Sequence, residues 1–189
     1  FRFHLAEPAL RWLNLNAGGM SVSIDEVSER IAALALQGPN ALKILTHIVD
    51  AGLGKLKFFR LISADFAGIP VTISRTGYTG DLGYEIWLPA AHAERVWDIL
   101  TERGKPYGLK PAGMLALDVA RLEAGFILLE VDYVGADKAL IASQRYSPFE
   151  IGLGWTVDLA KDFFVGSKDL RHLDGKDVPR QITGLEVDW

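Results

Sequence analysis

No cysteine occurs among the 189 residues of this chain. That excludes a disulfide framework, a thiolate nucleophile, a zinc–cysteine site and a cysteine-held iron–sulfur cluster. It also suits a reducing compartment, and a cytoplasmic location is the expectation. Long apolar runs are lacking too: none approaches the roughly 20 residues that a bilayer-crossing helix needs. There is no block of basic residues, and 20 Lys and Arg against 24 Asp and Glu leave a net charge of −4. Such a balance matches a phosphate backbone poorly, so neither nucleic acid nor membrane is an expected partner. The four histidines, His4, His47, His92 and His172, show no metal-ligand spacing, and no metal site is expected. P-loop, G-x-S-x-G and H-E-x-x-H patterns are absent as well.

What remains has the composition of a globular chain with a real core, 49% hydrophobic and 23% charged. The start, Phe1-Arg2-Phe3-His4, has no initiator Met and no signal-peptide pattern, and the last residues read as the middle of a strand. The expectation is a fragment cut at both ends. Along the chain, a short helix is expected between Phe3 and Asn16, stopped by Gly18-Gly19, and a short strand or edge at Val22 to Glu26. The apolar run Ile31 to Leu36 suits a buried strand. Pro39 then opens a helix carrying Leu42, Leu45 and Val49, ending near Gly52.

Phe58 to Phe66 and Ile69 to Thr76 read as strands joined by Ala67-Gly68, and Tyr84 to Leu88 as a third. Ala90 to Arg103 is an amphipathic helix, with Gly104 placed to end it in the left-handed conformation. A helix over Pro111 to Ala124 carries Leu115, Val119 and Leu122 on one stripe. Irregular structure follows to residue 150. After it come a strand at Trp155 to Leu159, a helix at Ser167 to Leu173 with Ser167 as N-cap, and a strand at Ile182 to Val187. Hairpin-style connections dominate, which gives an α+β fold with mostly antiparallel sheet and flanking helices. A composition change after Ser147-Pro148 marks a module boundary near residue 150.

The segment with the most chemistry runs from Arg75 to Trp87 and holds Gly77, Gly80 and Gly83. It joins strand to strand, so it is no phosphate cradle at a helix N-terminus. On spacing it is a hairpin loop whose glycines supply positive φ. Strand alternation then puts Glu85 and Trp87 on one face, and Tyr84, Ile86 and Leu88 on the other. Two readings of Glu85 stand side by side. It is a solvent-facing strand glutamate, or it is a carboxylate beside an indole that takes a flat heterocycle through paired hydrogen bonds and stacking. Arg121 likewise forms a surface pair with Asp118 at i, i+3, or contacts a ligand near its helix end.

Four strings occur in order: Ala35-Leu36-Gln37-Gly38-Pro39, Ser74 to Ile86, Ala120-Arg121-Leu122-Glu123-Ala124-Gly125, and Ser147 to Trp155. In these the chain resembles the glycine cleavage T-protein family of aminomethyltransferases and its folate-dependent relatives, over about residues 10–189. Those relatives include dimethylglycine and sarcosine oxidising enzymes, a dimethylsulfoniopropionate demethylase and aryl O-demethylases. The resemblance implies a T-protein-like folate-binding domain and a tetrahydrofolate-dependent one-carbon transferase, in which folate N5 accepts an aminomethyl or methyl group. The donor is then a small methyl donor or a lipoyl-carrier protein. It also implies an order of domains: the end of an inserted ferredoxin-like unit at 1–32, the second half of the folate domain at 33–147, and the beginning of a C-terminal β-barrel at 148–189. By position, Glu85 matches the pterin-binding glutamate and Arg121 a ligand-contacting arginine. Tyr78 matches a loop aromatic near the pterin, and in the aryl O-demethylase branch it would be a candidate proton donor to the leaving phenolate and Trp87 a site-lining aromatic.

One departure stands out. Where the family has an aspartate three residues before a tryptophan, here Trp12, this chain has Ala9, and Glu7 is the nearest carboxylate. That weighs against true glycine-cleavage activity, and the strings Gly80-Asp81-Leu82-Gly83 and Tyr84-Glu85-Ile86-Trp87 lean toward the demethylase relatives. Other members imply two alternatives: a non-catalytic folate-binding assembly protein, or the folate module of a larger flavin oxidase.

Overall fold

A computed structural model describes residues 2, 3, 5 and 9–187. Glu7 and His4 fall outside the described residues. By its internal contacts the chain forms two compact units, Phe1–Phe126 and Ile127–Trp189.

The first unit opens with helix α1 (Leu10–Asn16) and a 3₁₀ turn at Ser28–Arg30, and then builds β1 (Ile31–Gln37), α2 (Ala41–Thr46), β2 (Leu61–Phe66), β3 (Ile69–Ser74) and β4 (Gly83–Pro89). Two helices close it, α3 (Ala93–Gly104) and α4 (Met114–Glu123). The strands make one sheet in the order β1-β4-β3-β2, and all three pairings are antiparallel. The β2–β3 connection is the two-residue turn Ala67-Gly68, with φ of 52° and 85°. Both positive values match the type I′ geometry that suits the twist of a hairpin.

Period-two alternation decides the two faces of the sheet. Leu36, Phe66, Ile73, Tyr84, Ile86 and Leu88 are buried on the inner face. They pack in one cluster with Ile44 and Leu45 of α2 and Val96 and Leu100 of α3. The outer face carries Ala33, Ala35 and Gln37 of β1, Glu85 and Trp87 of β4, and Thr72 and Ser74 of β3, which pair across the ladder. Ala33 and Ala35 are exposed there. The apolar run Ile31 to Leu36 is therefore not a buried strand. It is an edge strand whose outward positions are filled by alanine, and a run of small apolar residues hides the alternation.

Several boundaries differ from the sequence expectation, each for a local reason. Val22 to Glu26 joins no ladder. Helix α2 stops at Thr46, six residues before the left-handed Gly52 at φ 63°. Gly104 keeps a right-handed φ of −82°, and Gly108, at φ 77°, supplies the left-handed turn. A Cβ on Gly104 would lie 2.3 Å from the Leu109 side chain, so close packing rather than φ asks for glycine there. The α4 stripe faces out: Leu115 is 83% and Leu122 64% exposed.

The second unit holds short 3₁₀ turns at Ala142–Gln144 and Gly154–Thr156 and helix α5 (Ser167–Leu173). Gly166, at φ 87°, takes the N-cap position, and Ser167 is the first helical residue. No strand of the expected pair forms among the described residues. Trp155 lies in a 3₁₀ turn, and Ile182 to Val187 is irregular, with Ile182 N–H donating to the Glu150 carbonyl at 3.1 Å. A strand-like segment supplies one row of donors and acceptors, but a strand forms only when a second row is there to pair with it.

Among the described residues this unit buries no large apolar side chain, and a polar hub organises it. Arg180 Nε donates to Glu150 Oε1 at 2.8 Å, its other nitrogens donate to the carbonyls of Ser143 and Arg145, and its guanidinium lies 4.0 Å from the Tyr146 ring centre. The Ser147 N–H donates to Glu150 Oε2 at 2.7 Å. That backbone bond, aided by Arg180 and opposed by burial, holds the Glu150 carboxyl below its ordinary 4.5. A carboxyl depressed by folding stabilises fully above its unfolded pKa, and the contribution fades as pH falls through the lower, folded value. Acid titration from pH 6 to pH 3 should therefore lower the melting temperature of this unit in the native chain. In Glu150→Gln that part of the pH dependence should vanish. Arg180→Ala at neutral pH leaves the Glu150 carboxylate with the Ser147 N–H but without its cationic partner, and should cost about 1–3 kcal/mol, read by denaturant unfolding.

No helix among the described residues is long and apolar enough to cross a membrane.

Candidate functional site

The site is built on the outer end of the β3–β4 hairpin. In β4, Glu85 and Trp87 project to the outer face while Tyr84 and Ile86 enter the core, the division alternation requires. Glu85 pairs with Ala35 on one side and Ser74 on the other, so it stands between a methyl group and a hydroxyl. Thr76 Oγ1 donates to Glu85 Oε2 in a short hydrogen bond, and Ser74 Oγ lies 2.7 Å from Thr76 Oγ1. Trp87 lines an open cleft of about 350 Å3 on this face with Thr72, Arg30 and Pro89, and Glu85 lies outside that cleft.

The glycine loop from Arg75 to Leu82 is held from two sides. On one side stands Gln37, the last residue of β1. Its Nε2 donates to the carbonyls of Thr76 and Tyr84, at 3.4 and 3.3 Å, and its Oε1 accepts from Thr79 Oγ1 at 3.3 Å. Gln37 pairs with Gly83 in the ladder. A Cβ on Gly83 would come within 1.8 Å of Gln37 Oε1, and one on Gly77 within 1.9 Å. These two glycines make room for an amide, and neither has positive φ. On the other side is the end of α4. Gly80 has φ 75°, and a Cβ on it would sit 2.5 Å from the Ala124 Cβ.

Two stability predictions follow from this division of labour. Gly80→Ala should cost about 2–4 kcal/mol, from a left-handed non-glycine residue plus overpacking against a methyl that cannot swing away. In calorimetry that is a fall in melting temperature of about 5–15 °C. Gly83→Ala only evicts a flexible amide and should cost about 1–2 kcal/mol. Most of that loss should already be present in Gln37→Ala, so the double variant should fall well short of additive.

Tyr78 lies in the loop between these anchors, with its ring stacked on Phe126 at 5.5 Å between centres and 15° between planes. Arg121 meets it indirectly. Only 3% exposed, it donates from Nε and from a terminal nitrogen to Asp118 Oδ1, at 2.8 and 2.7 Å, and from another to the Phe126 carbonyl at 3.1 Å. The expected i, i+3 pair is there, with its arginine buried and its aspartate exposed, and it is extended into a clamp on the turn after α4. Tyr78 and Arg121 thus converge on Phe126, while Glu85 and Trp87 share the sheet face. Gln37, Thr76 and Phe126 were not picked out from the sequence. Thr76 and Gln37 stand inside the quoted strings, but their partners are 9 and 39 residues away, which composition and periodicity do not show. Ala9 sits just before α1 and carries no side-chain cap.

The fold is an α+β domain, an antiparallel sheet with helices on one face and the Glu85–Trp87 pair on the other. The chain belongs to the family described as the GCVT N-terminal domain, whose model matches residues 4–161. It is 40% identical over 182 residues to an aminomethyltransferase of Caldanaerobacter subterraneus subsp. tengcongensis, covering 96% of this chain and 46% of that protein. An aminomethyltransferase of Thermotoga maritima is 35% identical over 181 residues, again covering 96% of this chain and 47% of the relative. The chain thus spans about half the length of the curated relatives it matches. Among solved structures, the glycine cleavage system aminomethyltransferase T of Bartonella henselae superposes with a TM-score of 0.67 at 27% identity, over 86% of this chain and 41% of that one.

Proposed function

We propose that this chain is the folate-binding part of a tetrahydrofolate-dependent one-carbon transferase of the aminomethyltransferase type. The observation that carries the reading is the family match, which runs through the whole hairpin site. The residues present fit the ligand. Glu85 Oε2 is held by Thr76, and Oε1 accepts no hydrogen bond among the described residues. That leaves acceptor capacity for a ring N–H and an adjacent amino group, with an indole beside it for stacking.

Tetrahydrofolate, when bound, supplies N5 as the acceptor of the one-carbon unit. In the proposed division of labour Glu85 orients the pterin and Trp87 gives it an aromatic wall. Tyr78 hands its phenolic proton to the heteroatom that leaves the transferred carbon. Arg121 is the ligand-side arginine of the resemblance, and its clamp on Phe126 gives it a second way to serve the site. The protein's contribution is placement and proton handling rather than new covalent chemistry. The division into 1–32, 33–147 and 148–189, with a β-barrel beginning in the last part, belongs to the same proposal.

The relatives' name points to an aminomethyl group as the unit transferred, and the resemblance to a lipoyl-bearing protein as its carrier. Ala9, in place of a carboxylate, weighs against glycine-cleavage chemistry, and the strings Gly80-Asp81-Leu82-Gly83 and Tyr84-Glu85-Ile86-Trp87 favour a second reading, in which a smaller methyl donor such as a sulfonium or an aryl methyl ether is used. A donor screen with full-length protein and tetrahydrofolate tests both. Turnover of the aminomethyl carrier is expected. Turnover of a methyl donor alone would establish the second reading. Tight folate binding with no donor consumed would favour a non-catalytic folate-binding protein.

A further inference from the structure

Glu85 has three rotatable side-chain bonds and stands on a sheet face that offers it no core to pack against. A carboxylate there would sample many directions unless something chose one, and every ordered side chain costs binding free energy. The structure shows what chooses. Thr76 has a single hydroxyl proton, and it goes to Glu85 Oε2. The contact between Thr76 Oγ1 and Ser74 Oγ at 2.7 Å must then run the other way, with the buried Ser74 donating. Ser74 is fixed by the ladder directly opposite Glu85. The Thr76 carbonyl is tied separately, by Gln37 Nε2 from β1 on the far side of β4. Thr76 is therefore fixed at hydroxyl and backbone by two different strands, and its one proton is spent on the carboxylate.

We propose that Thr76 is a positioning residue, the end of a directed relay Ser74–Thr76–Glu85 that sets the carboxylate in its ligand-binding orientation before the ligand arrives. The inference rests on the reading of Glu85 as the pterin-binding carboxylate and deepens it. Thr76 itself need touch no ligand. Its hydroxyl fixes one carboxylate oxygen and so determines where the other points.

The test is a set of calorimetric titrations of full-length protein with tetrahydrofolate, each variant accompanied by a melting curve. Thr76→Val keeps the branched shape and removes the hydroxyl, and should bind roughly 5- to 10-fold more weakly. Thr76→Ser restores the hydroxyl and should return to within about twofold of the native affinity. In a Glu85→Gln background Thr76→Val should add less than about a further twofold, because the group it positions is already lost. The same factor in both backgrounds would overturn the relay, as would a Thr76→Ser protein that melts like the native one yet binds as poorly as Thr76→Val. Should Thr76→Val fail to fold, Ser74→Ala in the two backgrounds carries the same comparison, with equal effects again overturning it. The two levels separate cleanly. Native affinity in a well-folded Glu85→Gln refutes the pterin assignment itself, whereas a weakened Glu85→Gln beside a full-affinity Thr76→Val refutes the positioning role alone.

Discussion

Tyr78→Phe should lower turnover by roughly 10²-fold while leaving tetrahydrofolate affinity within a few-fold of native. The substitution removes the phenolic oxygen and keeps the ring, and with it the near-parallel stack on Phe126 that seats the loop against the turn after α4. Neither the Gly80 contact with Ala124 nor the Gln37 hydrogen bonds involve the phenol, so the loop keeps its frame. What disappears is a proton source beside the site. If that proton neutralises the leaving heteroatom in the transition state, its loss acts on kcat and kcat/KM together rather than on KM. Steady-state kinetics on the accepted donor, with a melting curve beside them, decide the matter. Unchanged turnover would leave Tyr78 as a packing residue. Tyr78→Ala is the useful contrast, because it also removes the stack and should lower the melting temperature further than Tyr78→Phe does.

Much of this site was legible in the sequence because it lies on one strand. Alternation alone separates Glu85 and Trp87 from Tyr84 and Ile86, and the register bears that out residue by residue. The hairpin reading of the glycine loop was legible for the same local reason. The purpose of its glycines was not. Positive φ is the usual ground for glycine, yet of the three only Gly80 has it, while Gly77 and Gly83 are small because Gln37 lies across them. That contact spans about 40 residues of sequence and depends on strand order, which no periodicity encodes.

The same limit explains β1 and the C-terminal strands. Ile31 to Leu36 is apolar throughout, but its place at the sheet edge, with alanine outward, is decided by partners elsewhere. Trp155 to Leu159 and Ile182 to Val187 have strand-like composition without a ladder to join. Arg121 is an intermediate case. Its pairing with Asp118 follows from helical spacing, whereas its burial and its hold on Phe126 depend on the turn that Gly125, at φ 73°, makes after α4.

Glu85→Gln should weaken tetrahydrofolate binding by roughly 30- to 150-fold, equivalent to about 2–3 kcal/mol. The two side chains have nearly the same shape, so steric terms cancel and the difference is in charge and hydrogen-bond sense. In the native protein Oε2 accepts from Thr76, and the carboxylate keeps lone pairs for a ligand that presents two donors side by side. Glutamine can keep its carbonyl toward Thr76, but its amide nitrogen then faces those donors with hydrogens of its own. Turned the other way, it places the amide against a hydroxyl already donating toward it, and the relay from Ser74 must reverse. Either way one favourable pair becomes a repulsive one, and the charge assistance is gone. Folding should be nearly untouched, because Glu85 stands outside the core between Ala35 and Ser74, and the inner-face neighbours Tyr84 and Ile86 are unaltered. Titration calorimetry with tetrahydrofolate measures the loss, and a melting temperature within about 2 °C of native confirms that the fold is intact. A well-folded Glu85→Gln that binds tetrahydrofolate as tightly as the native protein would return Glu85 to the solvent-facing glutamate of the simpler reading. The pterin would then have to lie elsewhere on the sheet, with the cleft at Trp87, Thr72 and Arg30 as the next place to look.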